Sequence, residues 1–165
     1  MSEISGNEKA RRQNHHGTCL IVGDRGVAIT GPAGSGKTGL ALQLIERAGN
    51  GGSLVRLVAD DQMWLHPRGT RLICRAPGEI AGMIELRGAG IASLPHEPAT
   101  VIHLWIELLP ADGIPRLPER ADTVTKIAGV TVPRLKLCQN RACENAVTIL
   151  CLLGIGRFAA VNNRP

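Results

Sequence analysis

The sequence predicts an α/β domain that carries a phosphate-binding loop on a mixed β-sheet. A chain of 165 residues and 17.5 kDa, with 44% apolar and 20% charged residues, has the size and composition of one globular domain. Residues 31–38 read Gly-Pro-Ala-Gly-Ser-Gly-Lys-Thr between an apolar strand and an amphipathic helix. Several short strand patterns and few helical ones favour a mixed sheet over a regular alternation of strands and helices.

The elements follow from hydrophobic periodicity and from turn residues. Residues 1–15 show no periodic apolar pattern and are predicted to form a loose arm, which leaves 16–165 as the domain. Apolar runs predict strands at 19–22, 27–30, 54–59, 71–75, 84–87 and 101–109, and short edge strands at 130–133 and 135–137. Helical patterns cover 40–47 and 142–152, and three prolines within 110–120 indicate a surface loop.

Composition excludes several classes of protein. The net charge is +5, but two tryptophans, one phenylalanine and no tyrosine offer almost nothing on which to stack bases, so we expect no nucleic-acid partner. No apolar run approaches the ~20 residues of a membrane helix, and the polar N-terminus is unlike a secretory signal. We therefore expect a cytoplasmic protein with no membrane partner. The five cysteines form no C-x-x-C pair and are expected to be buried or idle thiols.

The loop at 31–38 predicts a site for a nucleoside triphosphate. Gly34 and Gly36 let the backbone curl so that successive N–H groups point at a polyphosphate, and the helix that starts near Lys37 adds its positive dipole end. Lys37 is expected on the β- and γ-phosphates, and Thr38 is expected to offer its hydroxyl to Mg²⁺.

Two adjacent aspartates, Asp60 and Asp61, end the apolar strand that follows this helix. Neighbouring residues of an extended chain point to opposite sides, so the two carboxylates are not expected to do the same job. One is expected to face the phosphates and the other the incoming hydroxyl. A strand-end turn capped by aspartate is the alternative.

Four segments resemble the catalytic domain of bacterial HPr kinase/phosphorylase. They are His16-Gly17, the loop Gly31 to Thr38, the stretch Leu57-Val-Ala-Asp-Asp61, and Glu85-Leu-Arg-Gly-Ala-Gly-Ile91. The last is similar to the family signature Glu-Ile-Arg-Gly-Leu-Gly-Ile. The resemblance covers roughly residues 16–95 and looks like the short alphaproteobacterial form. It implies a P-loop kinase fold of the HPr kinase/PEP carboxykinase type.

The resemblance also implies an activity: ATP- and Mg²⁺-dependent phosphorylation of a serine of the phosphocarrier HPr, with reverse phosphorolysis in many members. It implies that ATP is bound by the loop residues Gly31, Pro32, Ala33, Gly34, Ser35, Gly36, Lys37 and Thr38. The implied catalytic residues are His16, Lys37, Asp61 and Arg116, and the implied Mg²⁺ ligands are Thr38 and Glu85. Further site residues are Asp60, Arg87, Gly88 and Gly90. The family also implies a homo-oligomer, a hexamer.

Alternatives remain open at this point. His16 can simply cap a strand, Glu85 and Arg87 can form a surface ion pair, and Arg116 lacks the Tyr-Asp that precedes it in longer members. Residues 132–145 do not clearly show the family's glycine- and arginine-rich stretch linked to dephosphorylation. The rival functions are a small-molecule or nucleotide kinase with the same loop, and a non-catalytic ATP-sensing module.

Overall fold

The computed structural model describes residues 12–155 and contains two helices and eleven strands within that range. The strands are β1 (Gln13–His16), β2 (Thr18–Val22), β3 (Arg25–Thr30), β4 (Val55–Ala59), β5 (Gln62–Arg68), β6 (Arg71–Arg75), β7 (Met83–Leu86), β8 (Gly90–Ser93), β9 (Thr100–Leu109), β10 (Val124–Ile127) and β11 (Val130–Cys138). The helices are α1 (Lys37–Asn50) and α2 (Ala142–Leu153), and short 3₁₀ turns occupy Gly78–Ile80, Ala111–Gly113 and Arg120–Thr123.

Nine strands form one mixed sheet, seven of them in the order β1-β5-β6-β9-β3-β2-β4. The other two extend from β9: β11 pairs with β9, and β10 pairs with β11. The long strand β9 pairs in parallel with β3 and β11 and antiparallel with β6. The remaining neighbours in this sheet are antiparallel. The prediction of a mixed sheet with few helices is confirmed.

Hydrophobic side chains are buried on both faces of this sheet because successive residues of a strand point to opposite sides. One core contains Leu20 and Ile29 of the sheet together with Leu40 and Leu44 of α1 and Ile149 of α2. The other contains sheet residues alone, among them Cys19, Ala28, Met63, Leu65 and Trp105. The helices therefore cover one face, and the curled sheet encloses the second core with its own strands. Within residues 12–155 no helix is long and apolar enough to span a membrane.

The N-terminal strand β1 corrects one expectation. The loose arm was predicted to reach residue 15, but residues 13–15 lie in β1, which pairs with β5 through Asn14 opposite Trp64. Residues 1–11 lie outside the described part of the chain. Strand β5 itself was not predicted, because it buries only Met63 and Leu65 and contains Pro67.

Two other predicted boundaries also differ. The edge strands expected at 130–133 and 135–137 are one strand, β11, whose first half pairs with β10 and whose second half pairs with the central strand β9. The loop between β2 and β3 is the two-residue turn Gly23-Asp24, shorter than the four residues expected, with Gly23 at φ +64°. The strand expected at 84–87 is β7, which pairs only with β8 in a separate two-stranded sheet.

Candidate active site

The phosphate-binding loop connects the end of β3 to the start of α1. Gly34 and Gly36 have positive φ angles of 75° and 91°, which glycine adopts without steric cost. Gly36 caps α1, whose first turn has no side-chain cap and no acidic residue. The backbone N–H groups of that turn therefore have no competing side-chain acceptor, as expected of an anion site at a helix N-terminus.

Lys37 is the first residue of α1 and lies folded back over the loop. Its Nζ donates to the carbonyl oxygens of Gly31 and Pro32, both at 3.0 Å. Burial lowers the pKa of Lys37 from its ordinary value, and the charges of Asp61 and Asp60 act in the opposite direction. The ammonium group is therefore held at the mouth of the loop, within the field of both carboxylates.

The two aspartates at the β4–β5 junction occupy different environments. Asp60 is 8% exposed; its Oδ1 accepts a hydrogen bond from Thr18 Oγ1 at 2.7 Å and its Oδ2 one from the Glu85 backbone N–H at 3.4 Å. Asp61 is exposed and has a left-handed backbone with φ +64°. Such a conformation is uncommon for a residue other than glycine, although aspartate tolerates it better than most. It turns the second carboxylate outward, away from the first.

His16 stands next to the outward carboxylate. Its Nδ1 lies 3.0 Å from Asp61 Oδ1, and the two side chains are 54% and 68% exposed. The backbone supports this pair, because Gly17 N–H donates to the Asp61 carbonyl at 3.2 Å. An incoming molecule can therefore reach both groups, which suits a residue that exchanges a proton with a substrate hydroxyl.

These groups line one cleft of about 660 Å³, a size typical of small-ligand sites. Of the residues singled out from the sequence, it brings together His16, Ala33, Gly34, Gly36, Lys37, Thr38, Asp60, Asp61, Glu85 and Arg87. Glu85 is an exposed residue of β7, and Arg87 directly follows that strand. The cleft thus combines a loop, two strand ends and the β7 hairpin.

Other candidate residues lie outside the cleft lining. Gly31, Pro32 and Ser35 belong to the loop but do not line the cleft. The carbonyl oxygens of Gly31 and Pro32 accept hydrogen bonds from Lys37 Nζ, and the Ser35 Oγ is buried. Gly88 lies in the exposed turn between β7 and β8, and Gly90 is the exposed first residue of β8; their φ angles are +82° and +108°. The exposed Arg116 belongs to the surface loop at 110–120, so this chain does not bring its guanidinium to the cleft lining. Its catalytic role stays a prediction.

Sequence reasoning missed two polar residues of the cleft, Thr18 and Asn140. Asn140 has φ +58°, and its backbone N–H donates to the Ser35 carbonyl at 2.9 Å, so the β11–α2 junction braces the loop. Asparagine tolerates positive φ better than most residues, and its place two residues before a helical pattern was the available signal for Asn140. Thr18 could have been suspected as a polar residue at the start of an otherwise apolar strand.

The residues fit a magnesium-bound nucleoside triphosphate. The Ser35 Oγ is buried inside the loop and has no hydrogen-bond partner among the described residues, and the helix that begins two residues later has no side-chain cap. Lys37 supplies positive charge, while Thr38 and Glu85 offer a hydroxyl and a carboxylate in the same cleft. Hard oxygen donors of this kind, few in number and completed by substrate phosphates, are typical for Mg²⁺.

Comparison with known proteins gives consistent results. The model of the family described as HPr Serine kinase C-terminal domain matches residues 7–151. The HPr kinase/phosphorylase of Limosilactobacillus reuteri is 32% identical over 139 residues, which cover 78% of this chain and 41% of that protein. The corresponding protein of Chlorobium phaeobacteroides is 32% identical over 149 residues, covering 83% of this chain and 44% of its own length.

A solved structure is also similar. The structure of the Hpr(Ser) kinase/phosphatase from Coxiella burnetii matches with a TM-score of 0.70 and 28% identity, over 86% of this chain and 88% of that chain. The present chain spans about two-fifths of the length of the two curated relatives described above.

Proposed function

Because the chain belongs to the HPr Serine kinase C-terminal domain family, we propose that it is an ATP- and Mg²⁺-dependent kinase that phosphorylates a serine of an HPr-like phosphocarrier protein. One observation carries the proposal: a single cleft contains the loop lysine Lys37, the exposed pair His16–Asp61 and the carboxylate of Glu85. A lysine on the phosphates beside an accessible base is what transfer to a hydroxyl requires.

The loop is the proposed ATP site. Gly34 and Gly36 hold the backbone open for the phosphates, and Lys37 exchanges its contacts with the Gly31 and Pro32 carbonyls for phosphate oxygens. Thr38 and Glu85 would hold Mg²⁺, which when bound neutralises charge on the transferring phosphoryl group. Arg87, which lines the same cleft, adds a positive charge.

The proposed transfer is a displacement at the γ-phosphorus. A bond forms between the serine oxygen of the acceptor and phosphorus, while the bond to the bridging oxygen breaks and ADP leaves with that electron pair. The serine proton passes to the Asp61 carboxylate, and His16, at 3.0 Å, orients that carboxylate. Because Asp61 is exposed, a serine on a folded protein can reach it. Asp60 is buried, so we assign it a supporting role through its bonds to Thr18 and Glu85.

Four further elements belong to the proposal. In the reverse direction, phosphorolysis by inorganic phosphate, the same Asp61 acts as the proton donor and the 85–91 stretch takes part in both directions. The active form is a homo-oligomer, a hexamer. The enzyme acts in the cytoplasm on its phosphocarrier. Arg116 remains a proposed catalytic residue.

The test is phosphate transfer from radiolabelled ATP with Mg²⁺ to HPr from the same organism. A Ser→Ala variant of HPr serves as acceptor control, and Lys37→Met serves as enzyme control. We expect labelling of wild-type HPr alone and a loss of at least about 100-fold with Lys37→Met. Labelling of small acceptors but not HPr would favour a metabolite kinase. ATP binding without transfer to any HPr would favour the sensing module.

A further inference from the structure

The outer face of three neighbouring sheet strands, β1, β5 and β6, is basic. Residues directly opposite each other in antiparallel strands project from the same face, and here Asn14 is opposite Trp64, which is opposite Arg75. The Arg12 guanidinium lies on the Trp64 ring, 3.8 Å from its centroid. We call this surface the basic face and define it by Arg12, Asn14, Trp64, His66, Arg71 and Arg75.

The three strands of the basic face carry no acidic side chains of their own: the sequences of β1, β5 and β6 contain no aspartate or glutamate. Arg71 and Arg75 are exposed, and within residues 12–155 neither guanidinium takes part in a hydrogen bond or ion pair. Burial, followed by the charges of Arg75 and Arg12, lowers the pKa of His66 from its ordinary value. His66 therefore lies within the field of these two guanidinium groups.

The basic face is continuous with the candidate catalytic pair. His16 is opposite Gln62, two residues along β1 from Asn14, and so lies on the same face. Arg75 lies two residues further along the strands than His16, or roughly 7 Å. It also lies two strands away, or roughly 10 Å across the sheet. A protein partner usually covers ~800 Å² of surface, a patch roughly 30 Å across, and a patch of that size would include both His16 and Arg75.

We propose that the basic face binds a carboxylate-rich surface of the acceptor protein, next to the serine that is phosphorylated. This inference rests on the proposed function and adds the chemistry by which the acceptor is recognised. The opposite sign of charge steers the encounter and fixes the orientation in which a serine meets Asp61. Nucleic acid is the less suitable occupant, because Arg12 already covers the Trp64 ring on which a base would stack.

The experiment compares Arg71→Glu, Arg75→Glu and the double variant with Arg47→Glu. Arg47 is exposed on α1, and among residues 12–155 its guanidinium bonds only Gln43 of the same helix, so Arg47→Glu makes the charge change of each single variant away from the basic face. We expect KM for HPr to rise about tenfold in the double variant, while kcat and KM for ATP stay within about twofold. The Arg47→Glu values should equal those of the wild type. Raising the salt concentration should weaken wild-type binding more than binding by the double variant.

A direct titration of HPr into each protein, with a non-hydrolysable ATP analogue present, separates the two proposals. HPr binding that depends on Arg71 and Arg75, without any phosphate transfer by the wild type, would support docking on the basic face and reject the proposed kinase function. Transfer with an unchanged KM for HPr in the double variant would support the kinase and overturn the surface. Arginine-dependent binding of single-stranded DNA, with none of HPr, would also overturn it. An HPr variant in which surface carboxylates are replaced by lysine should bind the double variant more tightly than wild-type HPr does. Such restored affinity would support the proposed docking on the basic face directly.

Discussion

The Thr18 hydroxyl donates a 2.7 Å hydrogen bond to Asp60 Oδ1, and both side chains are buried, at 1% and 8% exposure. This bond joins the start of β2 to the end of β4. The second oxygen of the same carboxylate faces the Glu85 backbone N–H of β7. One buried carboxylate thus connects the three segments that carry His16, Asp61 and Glu85. A buried charge is tolerated only when its oxygens have such partners.

Replacing Thr18 by valine should destabilise the protein. Valine keeps the shape but removes the donor, so Asp60 would lose a buried hydrogen bond, at a cost of about 1–3 kcal/mol in the free energy of unfolding. Thr18→Ser keeps the hydroxyl and should cost less. Denaturant unfolding of the three proteins measures the difference. Equal losses for the valine and serine variants would mean that the hydrogen bond contributes nothing.

Asp61→Asn should abolish transfer without harming the fold. Asparagine tolerates the left-handed backbone at this position, φ +64°, but cannot accept the serine proton. We expect the transfer rate to fall by about 100-fold or more, with the free energy of unfolding nearly unchanged. Asp61→Ala should lose transfer and also about 1 kcal/mol of stability, because alanine disfavours that conformation. A transfer rate within about threefold of wild type for Asp61→Asn would contradict the role of the base.

The sequence was most informative where structure is local. The loop at 31–38, the aspartates after β4 and the strand β9 could be predicted because spacing and apolar runs determine them within a few residues. Strand β5 was missed because its stability comes from pairing with β1 and β6 rather than from its own pattern. Its outward-facing residues include the large apolar Trp64 beside the polar His66, so the strand does not show a simple alternation of apolar and polar residues.

Contacts between distant segments were the second limit. Adjacent aspartates were expected to face different ways, but only the fold shows that Thr18 fixes the inner one and that His16 meets the outer one. Asn140 reaches the loop through a backbone bond to Ser35, which no local pattern encodes. The resemblance pointed to Arg116, yet the surface loop leaves this residue outside the cleft lining of the single chain.

Arg116→Gln should leave ATP binding unchanged within about twofold, because the side chain is exposed and does not line the cleft. Titration with a non-hydrolysable ATP analogue measures this, and a transfer assay is run in parallel. A large drop in transfer with intact ATP binding would support the predicted catalytic role. A large loss of ATP affinity would contradict the observed position of the loop. Arg120→Gln, in the same exposed segment, is the matched control.

Asp122 should make folding stability depend on acid pH. It lies in the 3₁₀ turn before β10, and its Oδ1 is 2.6 Å from Lys136 Nζ and 3.9 Å from the Arg134 guanidinium of β11. The hydrogen bond from Lys136 is the main cause that lowers the pKa of this carboxyl, aided by the charges of Lys136 and Arg134. A folded pKa below the unfolded one means that ionised Asp122 stabilises the fold.

That stabilisation is fully present above the unfolded pKa, about 3.9, and is lost as the pH falls through the lower folded value. We therefore expect Asp122→Asn to have a lower Tm than the wild type at pH 6, with the gap closing as the pH approaches 3. The same substitution in a Lys136→Met background should show a smaller and flatter gap, because the main partner is gone. Thermal unfolding of the four proteins across that range measures both effects. A gap that widens toward acid pH would contradict the direction assigned to the pKa.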